Sequence, residues 1–290
     1  RCTTRAFARN FSKQILKCDF NKSKDRKGRM AFAAPSPSFF KDSRPSPLWS
    51  GGPAPGCLHE FPMRTAADQG RQHTTQPITT GTSVLGIRFN GGVMIAADTL
   101  GSYGSLSRFR SVSRVIPLTK ECVMGCSGDI ADMQELKSVL ESWIILDESM
   151  QYPYKDSAHG LFSVLTRVMY HRRSQMNPYW NHLVIAGVDD GEFLLGVVDK
   201  LGVAYQAPVV GTGYGAHLAL PLMRSELEKT PGGLSKEQAR NLLVRCMRLL
   251  FYRDCRASSK FEIATVTAEG QEIEGPLTLD TDWSIAHMVQ

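Results

Sequence analysis

At 290 residues, 42% of them apolar, the chain is long enough to bury one sizeable core or two small ones. Its formal charge of +6 sits almost wholly in residues 1–29, where ten Lys and Arg face Asp19 and Asp25 for a net +8, leaving −2 for the rest. A nucleic-acid-binding face on the folded body is therefore not expected, and no apolar run approaches the ~18 residues of a membrane span.

The basic stretch 1–29 opens on Arg1, and Met30 is the first methionine. Its arginines suit an import presequence, but Asp19 and Asp25 do not. A translated leader or disordered tail is the expectation. Residues 30–73 are rich in Pro, Ser and Gly with no periodicity, as expected of a flexible propeptide. The body is expected over residues 74–275, with residues 276–290 as a C-terminal arm. The seven cysteines (Cys2, Cys18, Cys57, Cys122, Cys126, Cys246, Cys255) are odd in number and show no CxxC spacing. Cys122 and Cys126 in a strand-like segment and Cys246 on a helix core face read as small buried hydrophobes, and the usage fits a reducing compartment.

Within the body, apolar runs alternate with turn signals. Ser83–Phe89 and Val93–Asp98 flank Asn90-Gly91-Gly92, which predicts a hairpin. Arg114–Leu118 and Cys122–Cys126 predict another. Ile130, Met133, Leu136, Leu140, Trp143 and Ile144 recur at helical spacing, and a second helix is expected over Ser157–Arg173. The pattern then repeats. His182–Val188 and Phe193–Val198 flank Asp189-Asp190-Gly191-Glu192, and Val203–Tyr205 adds a short strand. Gly215–Leu227 reads as a helix interrupted at Pro221. Ser235 and Gln238 form a capping box ahead of a helix with Ala239, Leu242, Leu243, Cys246, Met247 and Leu250 inward. Phe261–Thr267 and Glu272–Glu274 close the body. Strand pairs alternating with helix pairs predict an α+β fold: a four-layer α-β-β-α sandwich of two antiparallel sheets flanked by helix pairs.

Cofactor chemistry finds little support. Gly211-Thr212-Gly213-Tyr214-Gly215 precedes a helix but lacks the Lys-Ser/Thr of a phosphate loop. His171, His182 and His217 are scattered rather than at metal-ligand spacing. No cofactor or metal is implied.

The stretch from Gly81-Thr82-Ser83 to Val93-Met94-Ile95-Ala96-Ala97-Asp98 places a carboxylate at a strand end. It closely resembles the β subunits of the proteasome, a family of N-terminal-nucleophile hydrolases, and the resemblance runs from about Thr74 to Gln290. In active members a cut between Gly and Thr frees a threonine whose own α-amine, of pKa about 7.7–8.0, helps to take its proton. The resemblance puts the nucleophile position on Thr82, the supporting aspartate on Asp98 and the essential lysine on Arg114. It puts the oxyanion glycine on Gly128, a later serine on Thr212 and the final Asp and Ser on Asp254 and Ala257. Two of these depart from the active pattern. Arginine stays protonated and presents a fork where lysine is a tunable point charge, and Ala257 has no hydroxyl.

The segments Thr74-Thr75-Gln76-Pro77, Gly101-Ser102-Tyr103-Gly104, Met176-Asn177-Pro178, Tyr252-Arg253-Asp254 and Ile285-Ala286-His287-Met288 resemble a non-catalytic type of β subunit within that family. The resemblance implies a cut at His73–Thr74, upstream of Thr82, and a structural role. It also implies partners among the other α and β subunits of a four-ring barrel of 28 subunits, with a regulatory cap and assembly chaperones as indirect partners, in cytoplasm and nucleus. An active threonine peptidase cut at Gly81–Thr82 stays open as the alternative, since Gly81 is kept. The arm, bearing Trp283, Ile285 and Met288, is expected to dock on a neighbouring subunit.

Overall fold

The computed structural model describes residues 76–150, 157–284 and 286, all within the unit Thr74–Gln290. His73, Thr74, Ile285 and Met288 lie outside the described residues, as do the leader segments 1–29 and 30–73. The described strands are β1 (Thr79–Gly81), β2 (Val84–Phe89), β3 (Gly92–Asp98), β4 (Gly101–Tyr103), β5 (Leu106–Phe109), β6 (Val115–Thr119) and β7 (Cys122–Asp129). After them come helices α1 (Ile130–Met150) and α2 (Ala158–Ser174), then β8 (Asn181–Asp189), β9 (Glu192–Val198), β10 (Ala204–Gln206) and β11 (Val209–Gly211). Helices α3 (Gly215–Leu218), α4 (Leu220–Lys229) and α5 (Lys236–Arg253) lead into β12 (Lys260–Thr267) and β13 (Gly270–Thr278).

All pairings are antiparallel. One sheet runs β10-β9-β8-β7-β1-β4-β5 with β6 also on β7, and the other runs β11-β2-β3-β12-β13. Strands β2, β3, β7, β8 and β12 read as near-continuous apolar runs because both faces are covered. On β3, Val93, Ile95 and Ala97 face the layer between the sheets, while Met94 and Ala96 face α4 and α5. On β7, Val123 faces the same inner layer, and Cys122, Met124 and Cys126 face α1 and α2. Three apolar layers therefore separate four layers of structure, the α-β-β-α order expected from the sequence. The sheets approach closely at Gly125, where a Cβ would stand 2.7 Å from Val84 Cγ1.

Local signals explain most element ends. Gly91 supplies the positive φ of 93° in the turn from β2 to β3. The capping box of α5 is closed in both directions: Gln238 N donates to Ser235 Oγ (3.2 Å) and Ser235 N to Gln238 Oε1 (3.0 Å). Three features differ from the sequence reading. Pro221 does not kink one helix; it sits in the first turn of α4, where its missing N–H costs nothing, and α3 ends before it. The last strand does not stop at Glu274 but runs to Thr278, with Leu277 opposite Phe261 and Leu279 buried in the core. Residues 276–279 thus belong to the body, not to an arm. Strands β1, β4, β5 and β11 are of three or four residues and carry too little alternation to be read.

Candidate functional site

The chain upstream of Thr82 is a working strand of the larger sheet. β1 lies between β4 and β7, with Thr80 opposite both Ser102 and Asp129, and Gly81 opposite Gly128. Ser102 Oγ donates to the Thr80 carbonyl (3.1 Å), and Ile78 N donates to Asp129 Oδ1 (3.1 Å). Residue 81 must be glycine here for a packing reason: a Cβ would collide with the Arg114 side chain. In the uncut chain the nitrogen of Thr82 is an amide that follows a paired strand.

Arg114 enters β6 and is almost wholly buried. Nε donates to the Asp98 carbonyl (2.9 Å), Nη1 to the carbonyls of Thr82 (2.7 Å) and Cys126 (3.0 Å), and Nη2 to the Ser83 carbonyl (3.1 Å) and to Asp98 Oδ1. A guanidinium has five N–H donors, and these bonds use them all. The fork ties the β1–β2 junction, the end of β3 and β7 together. Asp98 Oδ2 also accepts from Leu100 N (3.3 Å) and Ser258 N (3.2 Å). Burial pushes the Asp98 carboxyl above its ordinary value, against the opposing pull of Arg114 and the two amides.

Thr82 Oγ1 donates to Asp254 Oδ2, and Asp254 Oδ1 accepts from Arg256 N (2.9 Å). Asp254 caps the C-terminal end of α5, and Ala257 N donates to its carbonyl (3.1 Å). Ala257 lies in the same turn as Ser258, whose amide meets Asp98. Thr212 is buried at the end of β11; its hydroxyl accepts from Val84 N (2.9 Å) and fastens β11 to β2. Gly128 has φ of 99°, and a Cβ there would collide with the Trp180 carbonyl. The seven positions singled out in the sequence thus gather around the β1–β2 junction.

Sequence reasoning missed two parts of this site. The carbonyls of Ser83 and Cys126 are acceptors for Arg114, and no side-chain identity announces them. Asn181, fully buried, donates to the carbonyls of Ser127 (3.2 Å) and Asp129 (2.8 Å) on either side of Gly128. Its signal was an amide at the head of the apolar run of β8. Among the described residues no three or more His, Cys, Asp or Glu side chains gather as metal ligands.

Chemically, the junction holds the chain in place. The Thr82 hydroxyl is engaged by a carboxylate, its nitrogen in the uncut chain is a non-basic amide, and the adjacent guanidinium spends its donors on other acceptors. At the C-terminus, Trp283 packs edge-on against Phe251 and Tyr252 of α5, and Asp282 N donates to Tyr252 Oη (2.8 Å).

Comparison with known proteins gives a consistent picture. The family profile described as "Proteasome subunit" matches residues 78–266. "Proteasome subunit beta type-4" of Xenopus laevis is 52% identical over 238 residues, 82% of this chain and 96% of that protein. The protein of the same name from Drosophila melanogaster is 38% identical over 262 residues, covering 86% and 97%. "Proteasome subunit beta type-7" of Saccharomyces cerevisiae is 43% identical over 206 residues, covering 67% and 76%.

Proposed function

This chain belongs to the proteasome subunit family, and from that membership we propose that it is a non-catalytic, structural β subunit of the 20S core particle. It assembles with other proteasome subunits into a complex that degrades proteins. In this reading the complex is a four-ring barrel of 28 subunits, to which a regulatory cap and assembly chaperones attach indirectly, in cytoplasm and nucleus. Residues 1–29 and 30–73 are leader and propeptide, removed by a cut at His73–Thr74. Trp283, expected on a neighbouring subunit, packs on α5 of its own chain; Ile285 and Met288 beyond it reach a neighbouring subunit, and no cofactor is needed.

The observation that carries the reading is the strand ahead of Thr82. Freeing the Thr82 amine would mean cutting at Gly81 and removing β1 from between β4 and β7. Thr82, Asp98, Gly128 and Asp254 match the residue types of the active pattern and Thr212 keeps a hydroxyl, with Arg114 and Ala257 as departures, which supports reading them as a former active site. The rival reading, a peptidase released at Gly81–Thr82, draws on the same retained positions. The test is an epoxyketone, which needs the hydroxyl and free amine of one N-terminal threonine. No adduct on Thr82 is expected in intact particles, and Thr82→Ala should leave their peptide-cleaving rates unchanged. A Thr82 adduct in peptide mass mapping would establish the rival.

A further inference from the structure

Helix α2 ends in a hydrogen-bond pattern that normally selects glycine. Met176 N donates to the Arg173 carbonyl (3.0 Å) and Asn177 N to the Arg172 carbonyl (3.1 Å), the paired bonds of a Schellman motif with Gln175 as C-cap. The residue after the cap must then take a left-handed conformation. Here it is Met176, with φ of 56° and a side chain 87% exposed. A long apolar side chain is therefore held in a strained backbone state and pointed into solvent, where glycine would be better for the helix and for solubility.

Further exposed side chains lie on α2, on the segment after Met176 and on the turn that touches α2. Tyr170, Trp180, Leu201 and Val203 are all exposed. The turn between β9 and β10 joins them: Gly202 lies against Tyr170, and Lys200 Nζ stands 3.8 Å from the Trp180 ring centre. Arg173 lies over the Tyr170 ring at 5.7 Å. Lys200 and Arg173 thus border the apolar side chains as cations held on aromatic faces, and neither has a carboxylate partner among the described residues. The carboxylates of Asp132 and Asp199 are taken up by the Trp180 and Lys200 amides and by His182, and apolar anchors beside cations are the composition of a protein–protein contact.

We infer that Met176 is a docking knob, and that the face around it seats a neighbouring subunit of the same particle, one offering an apolar pocket bordered by carboxylates. The charge argues for the carboxylates, since Arg173 and Lys200 have no carboxylate partner among the described residues. The left-handed methionine argues for the pocket, since the cap it closes asks only for glycine and its side chain is left exposed. This rests on the structural-subunit reading above and names the surface through which that role is exercised.

The test places a photo-crosslinking amino acid at position 176 of the full chain in cells, followed by purification of assembled particles and mapping of the crosslinked peptide. A crosslink to another subunit, at a peptide bearing Asp or Glu, is expected. Crosslinks confined to this chain, to a protein outside the particle, or absent altogether would overturn the inference. Met176→Gly gives an independent arm, because it relieves the strained cap. Were Met176 only a cap, the variant would enter particles as well as or better than the unaltered chain in competition. As a knob, its loss lowers incorporation several-fold, and Arg173→Glu does the same. If the unaltered chain is itself missing from purified particles, it is the structural-subunit reading that fails.

Discussion

Arg114 passes through the space that any side chain on residue 81 would occupy, so Gly81 and Arg114 are two halves of one fit. In the sequence, Gly81 looked like the mark of a cleavage site. In the fold it is the residue that lets a buried guanidinium reach the carbonyls of Thr82, Ser83, Cys126 and Asp98.

Gly81→Ala is expected to destabilise the chain by about 1–3 kcal/mol, as overpacking of a filled interior does. The added methyl meets the stem of Arg114 and displaces a group whose five donors are all engaged. Thermal unfolding of the purified chain measures this. A melting temperature unchanged from the parent would show that the fit is loose.

Arg114→Met should cost about 3–5 kcal/mol, because it leaves Asp98 charged and unpaired in the interior. Adding Asp98→Asn should recover part of that loss, a coupling that a double-mutant cycle reads directly. The pH dependence has a definite sign. Burial already raises the Asp98 carboxyl, and Arg114 is the first of the groups opposing that rise. Without Arg114 the folded-state value climbs further. A raised carboxyl favours the folded state below its unfolded value, 3.8, and loses that contribution as pH rises through the folded value. The stability gap between parent and Arg114→Met should therefore narrow as pH falls from 7 towards 4. A gap that widens on acidification contradicts the pairing.

Burial pushes the thiols of Cys122 and Cys126 up to about 12 and that of Cys246 up to about 11, so at pH 8 none holds appreciable thiolate. Cys255 is exposed. Iodoacetamide on the folded chain should modify Cys255 and spare the other three until denaturant is added. Peptide mapping of the alkylated sites decides it, and ready labelling of Cys122 or Cys126 would mean the packing against α1 and α2 opens.

Much of this architecture was legible in advance, for identifiable reasons. The long strands declare themselves because both faces are buried, and α5 because Ser235, Gln238 and six inward residues agree. Arg114 and Ala257 stood out as chemical departures within an otherwise intact pattern. What escaped were elements whose cause lies outside their own sequence. Thr79–Gly81 becomes a strand because β4 and β7 stand open on either side of it, and Pro276–Thr278 stay in the sheet because β12 is long enough to pair them. The role of Gly81 depends on a side chain 33 positions away, a distance across which spacing carries no signal.

The C-terminal boundary matters for truncation. Deleting residues 280–290 should leave a folded body that enters half-particles, while joining of two halves slows or fails. Deletion after Gly275 should instead damage the body, because it removes the pairing of Leu277 and Thr278 and takes Leu279 from the core. Native gels separate the two outcomes. Full-particle yield equal to the parent from the 280–290 deletion would remove the arm from the assembly mechanism.

The most direct measurement is the first residue of this chain in purified particles, by Edman degradation or intact mass. A structural subunit that keeps β1 in its sheet should begin at Thr74, with eight residues ahead of Thr82 and an amide at the Thr82 nitrogen. A chain beginning at Thr82 would have lost β1 and gained a free amine beside its hydroxyl, and the non-catalytic assignment would be wrong.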